Sequence, residues 1–256
     1  MDWSNKGSWE MEDQEYQAKR KVDNKNSFYH RHMFGVYQGY KMQRGMRYES
    51  NNEKLFFFLL DLAPEVIRFY EQPVEIPVRF LSEHGVIKES VHVPDVLVFR
   101  ENHVPWLIQI KEPDPKLLED VSFLKLQEIC KDYARSKGWE YSVLYPKNIP
   151  IHLQKNIKFL VNFLHLDIIP VDLVNRIQSF LHYRRSASIL ELSEFYQPDY
   201  QPYQAKPVIF HMIAKSILST DLSVPITSMS VVTINNAGAT GISKYLEKGS
   251  RSDAFL

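Results

Sequence analysis

The sequence predicts an α/β unit built on a mixed sheet, followed by a smaller helical unit. Three observations carry this reading. Leu55, Phe56, Leu59, Leu60 and Leu62 recur at helical spacing, and runs rich in β-branched and aromatic residues follow at 66–70, 74–80, 92–98 and 106–111. A second helical segment at 115–136 then precedes a last strand at 141–145. Hairpins give antiparallel pairs, whereas a helical crossover adds a parallel strand, so this order implies a mixed sheet.

Each element has its local reason. Ser50, Asn51, Asn52 and Glu53 supply capping residues for the first helix, and Pro64 ends it. Pro73 separates the strand at 66–70 from the one at 74–80, and the turn 82–85 leads into a long strand ending near Phe99. Arg100, Glu101, Asn102 and His103 form a polar turn before the strand that carries Gln109 and Lys111. In the helix at 115–136, Leu117, Leu118, Val121, Leu124, Leu126 and Ile129 are expected in the core, with Asp114 and Asp120 as charges favourable to the helix N-terminus.

The 92–98 and 106–111 hairpin holds the most informative chemistry. Asp95 lies on one strand, opposite Gln109 and Lys111 on the next. Gln109 and Lys111 are two apart and share a face, while Ile110 points away. A carboxylate, an amide oxygen and an ammonium in an apolar setting are costly to bury without partners, and such a cluster suits a metal-assisted phosphodiester site. An ordinary hairpin whose polar side chains reach solvent produces the same alternation.

Composition frames the partners. Hydrophobic residues make up 44% and charged residues 24%, ordinary for a globular protein, and the net charge is zero, so attraction for nucleic acid must be local. It is concentrated between Tyr16 and Tyr48, where eight Lys or Arg meet a single acid, Asp23, among interleaved aromatics. Cations neutralise phosphates and aromatics stack on bases; a solvated basic arm that binds nothing is the alternative. Arg44 and Arg47 are the candidate phosphate contacts within this arm. The acidic leader Glu10, Glu12, Asp13 and Glu15 has no evident role. One cysteine, Cys130, excludes an internal disulfide framework and reads as a core residue. No apolar run approaches the ~18 residues of a spanning helix, and the charged N-terminus lacks a signal-peptide core, so no membrane is expected and a cytoplasmic location is.

After prolines at 146 and 150, helical periodicity returns at 157–164, 171–181, 189–195 and 207–214. A small wing-like hairpin is expected from 218–222 and 224–226, giving a winged-helix-like module. It has modest basicity, with Arg184 and Arg185 the main pair, so protein docking is at least as good a reading as DNA contact. The expected organisation is an arm at 1–48, a core at 49–146, the helical domain at 151–227 and a flexible tail at 228–256.

The ordered set Glu49-Ser50-Asn51-Asn52-Glu53, the helix 55–62, Pro64-Glu65-Val66-Ile67, Glu71-Gln72-Pro73, Val93-Pro94-Asp95 and Gln109-Ile110-Lys111 resembles the TnsA endonucleases of Tns-type cut-and-paste transposons. These belong to the restriction-endonuclease-like PD-(D/E)xK superfamily. Gln109 departs from the acidic residue usual in that superfamily, and TnsA-like proteins use glutamine there. The resemblance implies a restriction-endonuclease-like core with Glu53, Asp95, Gln109 and Lys111 as catalytic residues. It also implies Glu53, Asp95, Gln109 and the Ile110 carbonyl as ligands for two Mg²⁺ ions, with Mn²⁺ as a substitute. The implied reaction is hydrolysis of the non-transferred strand at the 5′ side of transposon ends. The implied partners are double-stranded DNA, a DDE-type, TnsB-like transposase and an AAA+, TnsC-like ATPase regulator. A stand-alone restriction-type nuclease and a catalytically silent DNA-binding scaffold are the rival readings. Glu71-Gln72-Pro73 is expected to have a structural role.

Overall fold

The structure is a computed structural model that describes residues 2–19, 34–81, 87–112, 114–115, 119–236, 242–243 and 245–246. The stretch 20–33 of the basic arm, the turn expected at 82–85, Leu117 and Leu118, and the tail beyond 246 lie outside the described residues. The chain divides into two units. The first comprises the described residues up to Lys54 together with Glu65–Asn148, and the second Leu55–Pro64 with Ile149–Leu246.

In chain order the elements up to residue 148 are α1 (Glu10–Glu15), β1 (Gly35–Gly39), β2 (Arg44–Tyr48), α2 (Asn51–Leu62), β3 (Val66–Glu71), β4 (Ile76–Leu81), β5 (Ile87–His92), β6 (Val96–Arg100), β7 (Trp106–Ile110), α3 (Val121–Ser136) and β8 (Glu140–Leu144). The central sheet has the order β3-β6-β7-β8. Its first three strands are antiparallel neighbours, and β8 runs parallel to β7 after the α3 crossover. This is the mixed sheet expected from the sequence, and β6 and β7 are buried along their whole length. Strands buried on both faces read as continuous apolar runs, as Val96-Leu97-Val98-Phe99 and Trp106-Leu107-Ile108 do.

Three expectations for this unit need correction. The long strand ending near Phe99 is two strands, since Pro94 lacks the N–H a continuous ladder needs; β5 pairs with β4 in a separate hairpin and β6 joins the central sheet. The helix expected from 115 begins at Val121, where the Asp120 carboxylate accepts from the N–H groups of Ser122 and Phe123. Val121 and Leu124, expected in its core stripe, are exposed, and the buried face is instead Gln127, Cys130 and Ala134. Gly138, at φ +70°, closes the helix, and Trp139 N reaches back to Ala134 O. Within the expected arm, on either side of residues 20–33, β1 and β2 form a hairpin, and the N-terminal segment packs on the central sheet. There Trp3, Trp9 and Tyr16 all contact the Phe99 ring. Asp13, from the leader without an evident role, pairs bidentately with Arg68 and accepts from Tyr70 OH at 2.8 Å.

The second unit contains α4 (Ile151–Leu160), α5 (Val171–Arg184), β9 (Ser186–Ser188), α6 (Ile189–Phe195), α7 (Pro202–Ala214), β10 (Leu218–Ser219) and β11 (Val231–Ile234). Its sheet has the order β10-β11-β9, antiparallel throughout. Two expectations change here. The strand facing β10 is Val231–Ile234 rather than 224–226, where Pro225 breaks the run. The segment after 228 is therefore not wholly an extension: Val232 is fully buried in the sheet, and Ile242 and Leu246 are buried as well. No helix among the described residues is long and apolar enough to cross a membrane.

Candidate functional site

β6 and β7 bring Asp95 and Gln109 face to face, one residue beyond the registered pair Val96–Ile108. Asp95 N donates to Ile108 O at 3.0 Å, which locks the pairing. On the side chains, the Gln109 amide donates to Asp95 Oδ2, and Ile110 N donates to the same oxygen at 2.5 Å. Donors of this kind fix the orientation of the carboxylate. Gln109 is 4% exposed, and its Oε1 is buried without a hydrogen-bond partner. Ile110 O lies 3.5 Å from the Gln109 amide nitrogen.

Lys111 follows at the end of β7, anchored by its N–H to Leu144 O at 2.9 Å and half-buried. Among the described residues its ammonium makes no ion pair, so its charge is available to an anion.

Glu53 approaches through a chain of hydrogen bonds. At the start of α2 it accepts from Ser50 Oγ and from Glu49 N, each at 2.9 Å, while Glu53 N donates to Ser50 Oγ. This is a reciprocal cap. Glu49 Oε1 in turn accepts from Gln72 Nε2 at 2.9 Å, and Gln72 N donates to Asp95 O at 2.8 Å. Glu53 is thereby tied to Asp95 through Glu49 and Gln72, two residues not assigned to the site from the sequence. The available signal was Glu71-Gln72-Pro73, expected to be structural. Gln72 adopts φ 48°, in the region that favours glycine, and a side-chain-bearing residue held there is strained.

The two candidate phosphate contacts differ. Arg44 makes a bidentate pair with Glu71 at 2.7 Å through each of two nitrogens, and Glu71 is 2% exposed. Arg47 is exposed on β2.

No three His, Cys, Asp or Glu side chains converge on one point among the described residues. The donors here are of a mixed kind: carboxylates, a side-chain amide oxygen and a main-chain carbonyl. All are hard oxygens of the type that Mg²⁺ takes, and the partnerless Gln109 Oε1 is the atom whose burial such a ligand would offset.

No curated protein matches the chain in sequence. The family model described as TnsA-like endonuclease N terminal matches residues 63–145. That range spans the central sheet and holds Gln72, Asp95, Gln109, Ile110 and Lys111, with Glu53 preceding it. Residues 63–145 are thus similar to a TnsA-like endonuclease N-terminal domain.

Proposed function

We propose that the protein is a magnesium-dependent DNA endonuclease that cuts the non-transferred strand at the 5′ side of transposon ends, together with a DDE-type transposase. The observation that carries this reading is the hydrogen-bonded Asp95–Gln109 pair, with Lys111 two residues after Gln109, just past the end of β7, and without an ion pair among the described residues. Glu53, Asp95, Gln109 Oε1 and the Ile110 carbonyl would hold the metal; Mn²⁺ would substitute, and the family resemblance implies two ions. When bound, the metal supplies Lewis-acid charge to the scissile phosphate. Asp95, oriented by the Gln109 amide and Ile110 N, is set before substrate arrives, so little reorganisation is left to the reaction. Lys111 offsets charge on the pentacovalent phosphate as the water oxygen bonds to phosphorus and the P–O3′ bond breaks. A proton from the water ends on the departing oxygen, giving a 5′-phosphate and a 3′-hydroxyl.

The second unit is read as a winged-helix module. Its order α5-β9-α6-α7-β10-β11 and its strand order β10-β11-β9 support this. Protein docking is favoured over groove insertion, because α7 is largely covered. Phe210 packs edge-on against Phe159 and at a tilt against Phe163, and His211 Nδ1 donates to Phe163 O at 2.6 Å. The TnsB-like transposase and an AAA+, TnsC-like ATPase are the proposed partners, and the cytoplasm the proposed location.

The test is strand cleavage on a duplex carrying a transposon end, with Mg²⁺, with and without the cognate transposase. Nicking of the 5′ strand that needs the transposase and vanishes in Lys111→Ala is the expected result. Cleavage by the wild type alone would favour a stand-alone nuclease, and no lysine-dependent cleavage in either setting would favour a binding scaffold.

A further inference from the structure

Gln72 and Gln109 flank Asp95 in one row across β3, β6 and β7. Gln109 faces Asp95 from β7, and Gln72, one residue beyond the registered pair Glu71–Val96, donates its N–H to Asp95 O from the other side. The two glutamines are used alike. Each is 4% exposed, and each spends its side-chain NH₂ on a carboxylate, Gln109 on Asp95 and Gln72 on Glu49. Each then leaves its Oε1 buried without a hydrogen-bond partner. A buried amide oxygen left unpaired is costly, and here two glutamines in register with Asp95 each carry one. The backbone is strained as well: Gln72 is held at φ 48° directly before Pro73.

From this we infer that Gln72 is a ligand residue of the site, its Oε1 giving a divalent cation a second neutral oxygen opposite that of Gln109. The assignment rests on the metal-dependent reading above and adds to it a residue outside the Glu53, Asp95, Gln109 and Ile110 set. It gives Gln72 two functions. Its NH₂ holds Glu49, whose N–H orients Glu53, and its oxygen faces the cation. Hard divalent cations accept neutral carbonyl oxygens beside carboxylates, and replacing an acid by an amide lowers the negative charge the empty site must tolerate.

The test is Mn²⁺ binding to the full chain by isothermal titration calorimetry, with no DNA present, alongside a thermal melt of each variant. Gln72→Met keeps length and removes the oxygen, and it should weaken Mn²⁺ binding by about tenfold or more. Gln72→Glu combined with Glu49→Gln exchanges amide and carboxylate across the same hydrogen bond and keeps an oxygen facing the cation. That double variant should bind Mn²⁺ at least as tightly as the wild type. Wild-type affinity in Gln72→Met overturns the assignment. So does an equal loss in Glu49→Ala, which would mean that Gln72 acts only by holding Glu49. Should Gln72→Met fail to fold, affinity below wild type in the exchanged pair overturns it instead. Binding that Asp95→Ala leaves unchanged removes the metal reading itself, and this assignment with it.

Discussion

Gln109 donates its side-chain amide to Asp95 across β6 and β7, so the carboxylate faces an amide rather than a second carboxylate. Gln109→Glu would remove that donor and set two negative charges against one oxygen. Without metal the variant should be less stable by about 1–3 kcal/mol at neutral pH, from the lost charge-assisted hydrogen bond and the like-charge contact. Adding Mg²⁺ should raise its melting temperature more than that of the wild type, because the extra charge favours the cation. Equal melting temperatures for the two proteins without metal would remove the pairing from the site's energetics.

Arg44 and Arg47 are separated in sequence by two residues, yet the structure gives them different surroundings. Removing Arg44 strands the Glu71 carboxylate, which is almost fully buried, and breaking a buried pair from one side costs about 3–5 kcal/mol. Arg44 is itself partly exposed, which places the expected loss for Arg44→Ala at the lower end. Arg44→Lys should recover little, since an ammonium does not reproduce two parallel bonds. Arg47→Ala should leave stability unchanged and, where Arg47 meets a phosphate, reduce the salt slope of DNA binding by about one. Urea unfolding together with DNA affinity at several salt concentrations separates these outcomes; a fully stable Arg44→Ala would show that Glu71 finds another partner.

Asp13 gathers the Arg68 guanidinium and the Tyr70 hydroxyl, fifty-five and fifty-seven residues away, and so fastens the N-terminal segment to β3. Burial first, and then the bond to Asp13, hold the Tyr70 phenol well above its ordinary range. Asp13→Ala leaves both groups without this acceptor and should cost about 1–2 kcal/mol, less than a fully buried pair because Asp13 is partly exposed. The segment should then become more open to proteolysis near Trp9, which a timed trypsin or chymotrypsin digest reads directly. Digestion at the wild-type rate would argue that the Trp3, Trp9 and Tyr16 contacts on Phe99 hold the segment alone.

Legibility in the sequence follows the range of each interaction. Strand alternation is local, so spacing alone assigns Asp95, Gln109 and Lys111 to one hairpin, and the helix–strand order predicts the mixed sheet. Pro94 marks a break in the ladder, yet β-branched residues on both sides of it mask that break. In α3 the apolar stripe of Val121 and Leu124 misleads, because Gln127 is buried through Tyr141 OH, which donates to its Oε1 at 2.6 Å. Asp13–Arg68, Gln72–Glu49 and the β10–β11 pairing join distant parts of the chain and leave no period to detect. Glu53 stands out as a capping residue and as a match to the family pattern, but its link to Asp95 through Glu49 and Gln72 exists only in the fold.

Cys130, the chain's one cysteine, reports on the packing of α3. Burial pushes its thiol up to about 11 from an ordinary value of 9.0, against a smaller opposing effect of the Tyr141 hydrogen bond. The sign follows from which state loses its proton first. Between pH 9 and 11 the unfolded chain ionises its thiol while the folded chain keeps the proton, so the unfolded state is favoured as pH rises. The stability from this site is full below pH 9 and declines across that window. Cys130→Ala should therefore flatten the fall of melting temperature above pH 9, at the cost of a small cavity in α3. Because the thiolate is the reactive form, the buried thiol should also resist alkylation by iodoacetamide at pH 8 in the native protein and react once urea unfolds it. Rapid alkylation of the native protein would place Cys130 outside the core and remove the expected pH dependence with it.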